Sequence, residues 1–279
     1  MGRVDGKVAF ITGAARGQGR EHAVTLAREG ADIIAVDVCG QLDTVPYPLS
    51  TPDDLAQTAK LVEDLDRRIV TRQADVRDSG QLDAAVQAGL NDFGHIDIVC
   101  ANAGILSSAP TDELTDQQWD EMIDVNLTGV WRTCKAVIPS MKAAGRGGSI
   151  ILTSSVLGLR GIGNVAHYVA AKHGVVGLMR ALAAELAGHN IRVNTVNPIN
   201  VDTDMIHNKM FYSVFMPDNP DPTRADAEIA FGGATMMPIP WVQSSDISNA
   251  VLFLASDESR YITGVALPID AGGIEKFGG

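Results

Sequence analysis

Tyr168 and Lys172 stand four residues apart in a stretch patterned as a helix, so their side chains share one face. A tyrosine at its ordinary pKa of about 10 is a poor base at neutral pH. A neighbouring ammonium favours the phenolate and lowers that value. Such a phenol could take a proton from an alcohol or return one to a carbonyl. Ser155 lies upstream in a loop that leaves a strand, where its hydroxyl could hold the reacting oxygen. Taken alone, a Tyr–Lys pair at this spacing is usually a half-exposed phenol beside a snorkelling lysine. His167 and His173 flank the pair and are read as ordinary helix residues, with His173 facing away from Tyr168.

A second cluster points to a bound nucleotide. Thr12-Gly13-Ala14-Ala15-Arg16-Gly17-Gln18-Gly19 falls between a short apolar run and a helical pattern near the N-terminus. Gly13 suits a tight turn. Gly17 and Gly19 would let backbone N–H groups approach a pyrophosphate at the positive end of the helix, with Arg16 and Gln18 beside it. Asp37 ends the second strand, 18 residues after Gly19. A carboxylate there accepts from both ribose hydroxyls and repels a 2′-phosphate, which favours NAD over NADP. Arg16 pulls the other way, or pairs with the pyrophosphate or a nearby acid.

These residues need a frame, and the chain supplies alternating strands and helices. Strand patterns cover 8–12, 32–36, 69–74, 96–101, 149–153, 191–196 and 265–269. Helical patterns cover 20–29, 79–93, 121–144 and 167–187, with Gly30, Gly94 and Gly188 as stops and Asn126 interrupting the third. The order implies an α/β, Rossmann-type, doubly wound parallel sheet of about seven strands in a three-layer αβα domain spanning 1–279. Two additions stand out. The segment 38–52 carries Pro46 and Pro48 and lacks a period, so it reads as a loop, after which Thr51-Pro52-Asp53-Asp54 opens a helix well. The segment 203–241 holds five of the nine methionines with Phe211, Tyr212, Phe215 and Phe231. Its place after the sixth strand suits a substrate lid over the carboxyl edge of the sheet.

Composition narrows the classes. Hydrophobic residues make up 46% of the 279, which supports a sizeable core. The net charge of −12 disfavours binding to a phosphate backbone, so no nucleic-acid partner is expected. Cys39, Cys100 and Cys134 are widely spaced and odd in number, which suits buried thiols in a reducing, cytoplasmic setting. The histidines show no ligand spacing, so no metal is expected. No signal-peptide pattern or membrane span is seen.

Together these residues resemble the short-chain dehydrogenase/reductase family over essentially the whole chain. Its TGxxxGxG turn is matched by Thr12, Gly13, Gly17 and Gly19, and its acid–apolar pair by Asp75-Val76. Its NNAG motif stands here as Ala101-Asn102-Ala103-Gly104, with alanine in place of the first asparagine. The family's helix asparagine matches Asn126, and its serine 13 residues before a YxxxK motif matches Ser155, Tyr168 and Lys172. That spacing favours Ser155 over Ser154. The family's Pro-Gly after the sixth strand is Pro198-Ile199 here, followed by Val201 and Thr203.

The loop after Asp37-Val38 and the run from Asn197 to Met205 resemble the carveol dehydrogenase-like, mycofactocin-associated subgroup. The resemblance implies that Asn126 binds a water linking Lys172 to solvent and that Lys172 holds the nicotinamide ribose. It implies that Asp75-Val76 holds the adenine. It further implies that the backbone at Pro198-Ile199, Val201 and Thr203 meets the carboxamide, with a narrower pocket because of Ile199. It also implies a homotetramer, tightly held NAD and a mycofactocin-type electron acceptor. The expected activity is interconversion of a lipophilic, carveol-type secondary alcohol and its ketone. The alternatives are a 3-oxoacyl reductase and a catalytically silent nucleotide-binding regulator.

Overall fold

A computed structural model describes residues 2–276. Met1 and 277–279, the end of the glycine-rich C-terminus, lie outside them. Seven parallel strands form one sheet: β1 Val8–Thr12, β2 Asp32–Asp37, β3 Ile69–Gln73, β4 Ile98–Ala101, β5 Gly148–Thr153, β6 Ile191–Pro198 and β7 Ala266–Ile269. Their order across the sheet is β3-β2-β1-β4-β5-β6-β7. The helices are α1 Gly17–Arg28, α2 Pro52–Glu63, α3 Ser79–Phe93, α4 Asp116–Ile123, α5 Gly129–Ala144, α6 Ala166–Leu186, α7 Lys209–Phe215, α8 Arg224–Gly232 and α9 Ser244–Ala255.

The strands are apolar on both faces because helices cover both. In β1, Val8 and Phe10 pack with residues of α3, α5 and α6, while Ala9 and Ile11 pack with residues of α1, α2 and α9. The same alternation runs through Ile34 and Val36 against Ile33 and Ala35 in β2. The expected doubly wound sheet is therefore observed.

Several boundaries differ from the sequence expectation for local reasons. Helix α1 starts at Gly17 rather than at 20, because the last glycines of the turn already occupy its first turn. Strand β4 starts at Ile98 rather than 96, and Asp97 just before it takes the Val8 amide on its carboxylate at 3.0 Å. The helical stretch over 121–144 is broken by a π-turn, Asp124–Thr128, between α4 and α5. The segment 203–241 contains two short helices that its prolines masked. Asn208 caps α7, and Thr223 caps α8 through a box with Asp226.

The 38–52 segment is irregular, as expected, and Gln41 organises it. The Gln41 amide donates to Val45 O at 2.9 Å and accepts from Leu49 N at 2.9 Å. Thr51 then caps α2 through a box with Asp54.

Gly19 shows how tightly the first turn is welded. A Cβ there would meet the Gly13 carbonyl oxygen at 2.0 Å and Asn102 Nδ2 at 2.8 Å. Neither neighbour is a loose side-chain end, so Gly19→Ala should lower the unfolding free energy by about 2 kcal/mol or more. Urea titration checks this, and an unchanged midpoint would contradict it.

Candidate active site

Strand order reverses direction between β1 and β4, and the crevice at such a switch point is where open α/β sheets bind ligands. Asn102 stitches the two strand ends together there. Its Nδ2 donates to Thr12 O at 3.1 Å and Gly13 O at 3.3 Å, and its own amide donates to Thr12 Oγ1 at 3.1 Å. A cleft of about 430 Å³ opens beside this clasp, lined by Gly13, Arg16, Gly17, Gln18, Asn102, Ala103 and Gly104 among others.

The α1 N-terminus faces an anion well. Arg16 at its N-cap position makes no side-chain cap, and the first turn holds no acid, so neither answers the first N–H groups of the helix. Gly13 and Gly17 have φ of 66° and 53°, which favours glycine at both. A Cβ on Gly17 would meet Thr203 Cγ2 at 3.3 Å. Gly19 also serves close packing against the Gly13 carbonyl, where an added Cβ has no room. Gln18 Oε1 is enclosed without a hydrogen-bond partner. The uncapped helix end, the glycine cradle and this orphaned oxygen fit a dinucleotide.

Asp37 is 7% exposed and lines the cleft. One carboxylate oxygen accepts from Ala15 N at 2.9 Å, and the other from Cys39 N at 3.2 Å and Ser50 Oγ at 2.5 Å. These bonds fix its position and leave acceptor capacity for ribose. Arg16 pairs with Asp204 at 2.9 Å and donates to Pro48 O, so it bridges the turn, the 38–52 loop and the start of the lid. Of the roles open to Arg16, the acid partner is the one observed.

Val38, Asp75 and Val76 line the same cleft. The Asp75 carboxylate is already engaged by Arg77, at 2.7 Å to its oxygen, and Arg77 reaches on to Glu121 at 3.3 Å.

Tyr168, Ser155 and Lys172 converge on a second cavity of about 150 Å³. It shares Gln18, Asn102, Gly104, Thr203 and Met205 with the cleft. Lys172 is 3% exposed, and its Nζ donates to Thr153 O at 2.8 Å and lies 5.5 Å from the Tyr168 ring centroid. Ser154 Oγ donates to the Lys172 carbonyl at 2.9 Å, which anchors α6 and takes Ser154 out of contention. Ser155 Oγ donates to Pro198 O at 3.4 Å, accepts from Leu157 N at 3.1 Å, and lines the cavity with Tyr168.

Burial is the dominant influence on the pair. It pushes the Tyr168 phenol up to about 12, against the opposing pull of the Ser155 hydrogen bond. It drives the Lys172 ammonium down to about 8. The expected net lowering of Tyr168 is therefore not what the chain alone produces, because desolvation dominates.

Asn126 is fully buried and its side chain is already committed. Oδ1 accepts from Ile105 N at 2.8 Å and Nδ2 donates to Ile105 O at 2.8 Å. It thereby fixes the strand exit beside Gly104, where an added Cβ would lie 3.4 Å from Asn126 Oδ1 and 3.6 Å from Lys172 Nζ. At Pro198-Ile199, the Ile199 amide is spent on Ile269 O at 3.2 Å, so it cannot also serve a carboxamide. Ile199 and Val201 instead line the second cavity with Pro198 and Thr203. His167 is buried against Ser107 at 2.9 Å, and His173 caps back to Val169 O, as ordinary helix residues do.

The lid supplies the apolar wall. Met205, Ile206, Phe211 and Phe215 line the second cavity. Phe211, Phe215 and Phe231 meet edge to face, with centroids 4.8 to 5.6 Å apart. Sequence reasoning missed three contributors. Tyr47 of the 38–52 loop is buried and accepts from Leu106 N at 3.1 Å. His207 joins Asp202 at 2.7 Å to Tyr212 Oη at 2.9 Å and so ties the lid to the β6 exit. Arg160 lines the second cavity. An aromatic between two prolines signalled Tyr47; the other two had no local signature.

A family model described as short chain dehydrogenase matches residues 7–210. The (-)-trans-carveol dehydrogenase of Rhodococcus erythropolis is 55% identical over 98% of this chain and 99% of that relative. A crystal structure of carveol dehydrogenase from Mycobacterium avium in complex with NAD superposes with a TM-score of 0.97, at 57% identity over 99% of this chain and 100% of that one. A short chain dehydrogenase from Mycobacterium paratuberculosis bound to NAD gives 0.91 at 44% identity, over 99% and 100%. The chain belongs to the short-chain dehydrogenase family. Among the described residues, no helix is long and apolar enough to cross a membrane.

A buried ammonium costs stability wherever it stays charged. Lys172 drops from 10.5 to about 8 on folding, so the unfolded chain binds the extra proton between those values. Stability therefore rises with pH across that window. Lys172→Met should be more stable than wild type at pH 7 by on the order of 3 kcal/mol, with the gap closing toward pH 10. Chemical denaturation at the two pH values reads this out; a gap independent of pH would contradict it.

Proposed function

We propose that the protein is an NAD-dependent dehydrogenase that interconverts a lipophilic secondary alcohol, of the carveol type, and its ketone. The observation that carries this is the convergence of Ser155, Tyr168 and Lys172 in an apolar cavity that opens onto the glycine-lined cleft. The carveol dehydrogenase relatives supply the substrate type.

NAD, when bound, supplies the group that accepts or donates the hydride. Gly13, Gly17 and the open α1 N–H groups would hold its pyrophosphate, Asp37 its adenosine ribose and Lys172 its nicotinamide ribose. Ser155 holds the substrate oxygen beside the phenol. In oxidation Tyr168 takes the hydroxyl proton as the carbon loses its hydride, and in reduction it returns that proton to the oxygen. Lys172 charged beside the phenol opposes the effect of burial and keeps the proton mobile. The Phe211–Phe215 wall and Ile199 exclude water and select an apolar body. The Arg16 bridge from Pro48 to Asp204 crosses the cleft and favours slow NAD exchange.

Tyr168→Phe should lower kcat/KM for alcohol oxidation by at least about 100-fold, the lower end of what a positioned acid–base group contributes. Steady-state assay of the pure variant checks this, and near-wild-type turnover would sink the assignment. Asp37→Asn removes the charge that repels a 2′-phosphate. The ratio of apparent affinities for NAD and NADP, measured by fluorescence titration, should shift toward NADP by roughly tenfold, about one charge-assisted contact. An unmoved ratio would place cofactor choice elsewhere.

A further inference from the structure

Gln18 is the side chain of the nucleotide turn that a pyrophosphate does not explain. It lies in the first turn of α1, and its Oε1 is enclosed without a hydrogen-bond partner. A pyrophosphate offers only acceptors, and an amide carbonyl has no proton to give it. The open N–H groups of α1 suit that anion by themselves. Among the described residues, the other enclosed polar side-chain atoms without a hydrogen bond are ring nitrogens of His22, His95 and His167. None of these histidines lines either cavity, whereas Gln18 lines both. An unanswered buried carbonyl costs free energy, so one at a cavity wall points to a donor on the ligand.

The position of Gln18 says which donor. Gln18 shares the junction between cleft and substrate cavity with Asn102, Gly104, Thr203 and Met205. Asn102 is committed there: Nδ2 donates to Thr12 O and Gly13 O, and Oδ1 accepts from Thr153 Oγ1 at 3.4 Å. Thr203 Oγ1 spends its proton on Val201 O at 3.2 Å. The pyrophosphate belongs at the α1 N-terminus, whereas the hydride must reach a carbinol held by Ser155 and Tyr168 in the second cavity. The nicotinamide ring therefore spans the junction, and its carboxamide carries an amine next to the hydride-bearing carbon. The last torsion of a glutamine side chain is soft, so the oxygen turns toward that amine at little cost.

We propose that Gln18 Oε1 accepts a hydrogen bond from the carboxamide amine of the nicotinamide, and that Gln18 is the side chain that reads this end of the cofactor. The bond fixes rotation about the ribosyl link, so one face of the ring is turned toward Tyr168 and the carbinol. This rests on the NAD reading of the cleft and deepens it.

The test compares NAD with 3-acetylpyridine adenine dinucleotide, in which a methyl ketone replaces the carboxamide and leaves no amine to donate. Isothermal titration of the nucleotide-free full chain gives both dissociation constants without turnover. Wild type should bind NAD about tenfold more tightly than the analogue, the scale of one hydrogen bond to a buried acceptor. Gln18→Met keeps the length and helix propensity without a carbonyl, and should bring the two constants within about threefold. Gln18→Glu keeps an acceptor oxygen at the same reach. Its charge weakens both nucleotides through their pyrophosphate, yet the preference for NAD should persist. A preference that survives in Gln18→Met, even with both nucleotides weakened, would place Gln18 on the ribose and overturn the proposal. So would its absence from wild type, or its equal loss in Gln18→Glu, since packing alone would then set it. If wild type binds neither nucleotide, the NAD reading of the cleft itself falls, which separates that failure from a failure of the Gln18 contact.

Discussion

The site is organised around an ammonium buried without a carboxylate. Lys172 is 3% exposed, and its hydrogen bond runs to the Thr153 carbonyl at the end of β5. Burial penalises its charge, and the same burial holds the neighbouring phenol protonated. Each group needs the other charged in order to be useful, and neither is stable in that state within this dry cavity. The rest of the structure fixes the geometry of that pair. Ser154 pins the Lys172 carbonyl, Asn126 fixes Ile105 beside Gly104, and the sheet edge supplies Thr153.

The same economy appears on the nucleotide side. Parallel strands buried on both faces leave the carboxyl ends as the open edge, and the reversal between β1 and β4 leaves a crevice there. Asn102 ties both strand ends, and the uncapped α1 presents its N–H groups into the crevice. Loop 38–52 and the lid then meet across it through Arg16, which lines the cleft.

Much of this is legible in the sequence, for physical reasons. Val8–Thr12 and Ser79–Phe93 have the expected bounds because apolar period and end signals agree there. Tyr168 and Lys172 are readable because a helix imposes their proximity through spacing alone. What stays hidden depends on contacts between distant segments. Arg16 meets Asp204 across 188 residues, and Tyr47 meets Leu106 across 59. The sign of the Tyr168 shift comes out opposite to the sequence expectation because the Tyr–Lys spacing is visible in the sequence, whereas the burial that raises the phenol is not. The segment 203–241 hides its helices because α7 and α8 are short and rely on caps and aromatic packing more than on periodicity.

The central claim is that Lys172, charged, makes the Tyr168 phenol a working base against the pull of burial. The direct measurement is the pH dependence of kcat/KM for alcohol oxidation in wild type and Lys172→Met. The account predicts that the alkaline rise to full activity moves upward by more than about one pH unit when the ammonium is removed, since one unit corresponds to only about 1.4 kcal/mol of interaction. A profile that drops in height while its inflection stays in place would show that Lys172 only positions the cofactor, and would contradict the account.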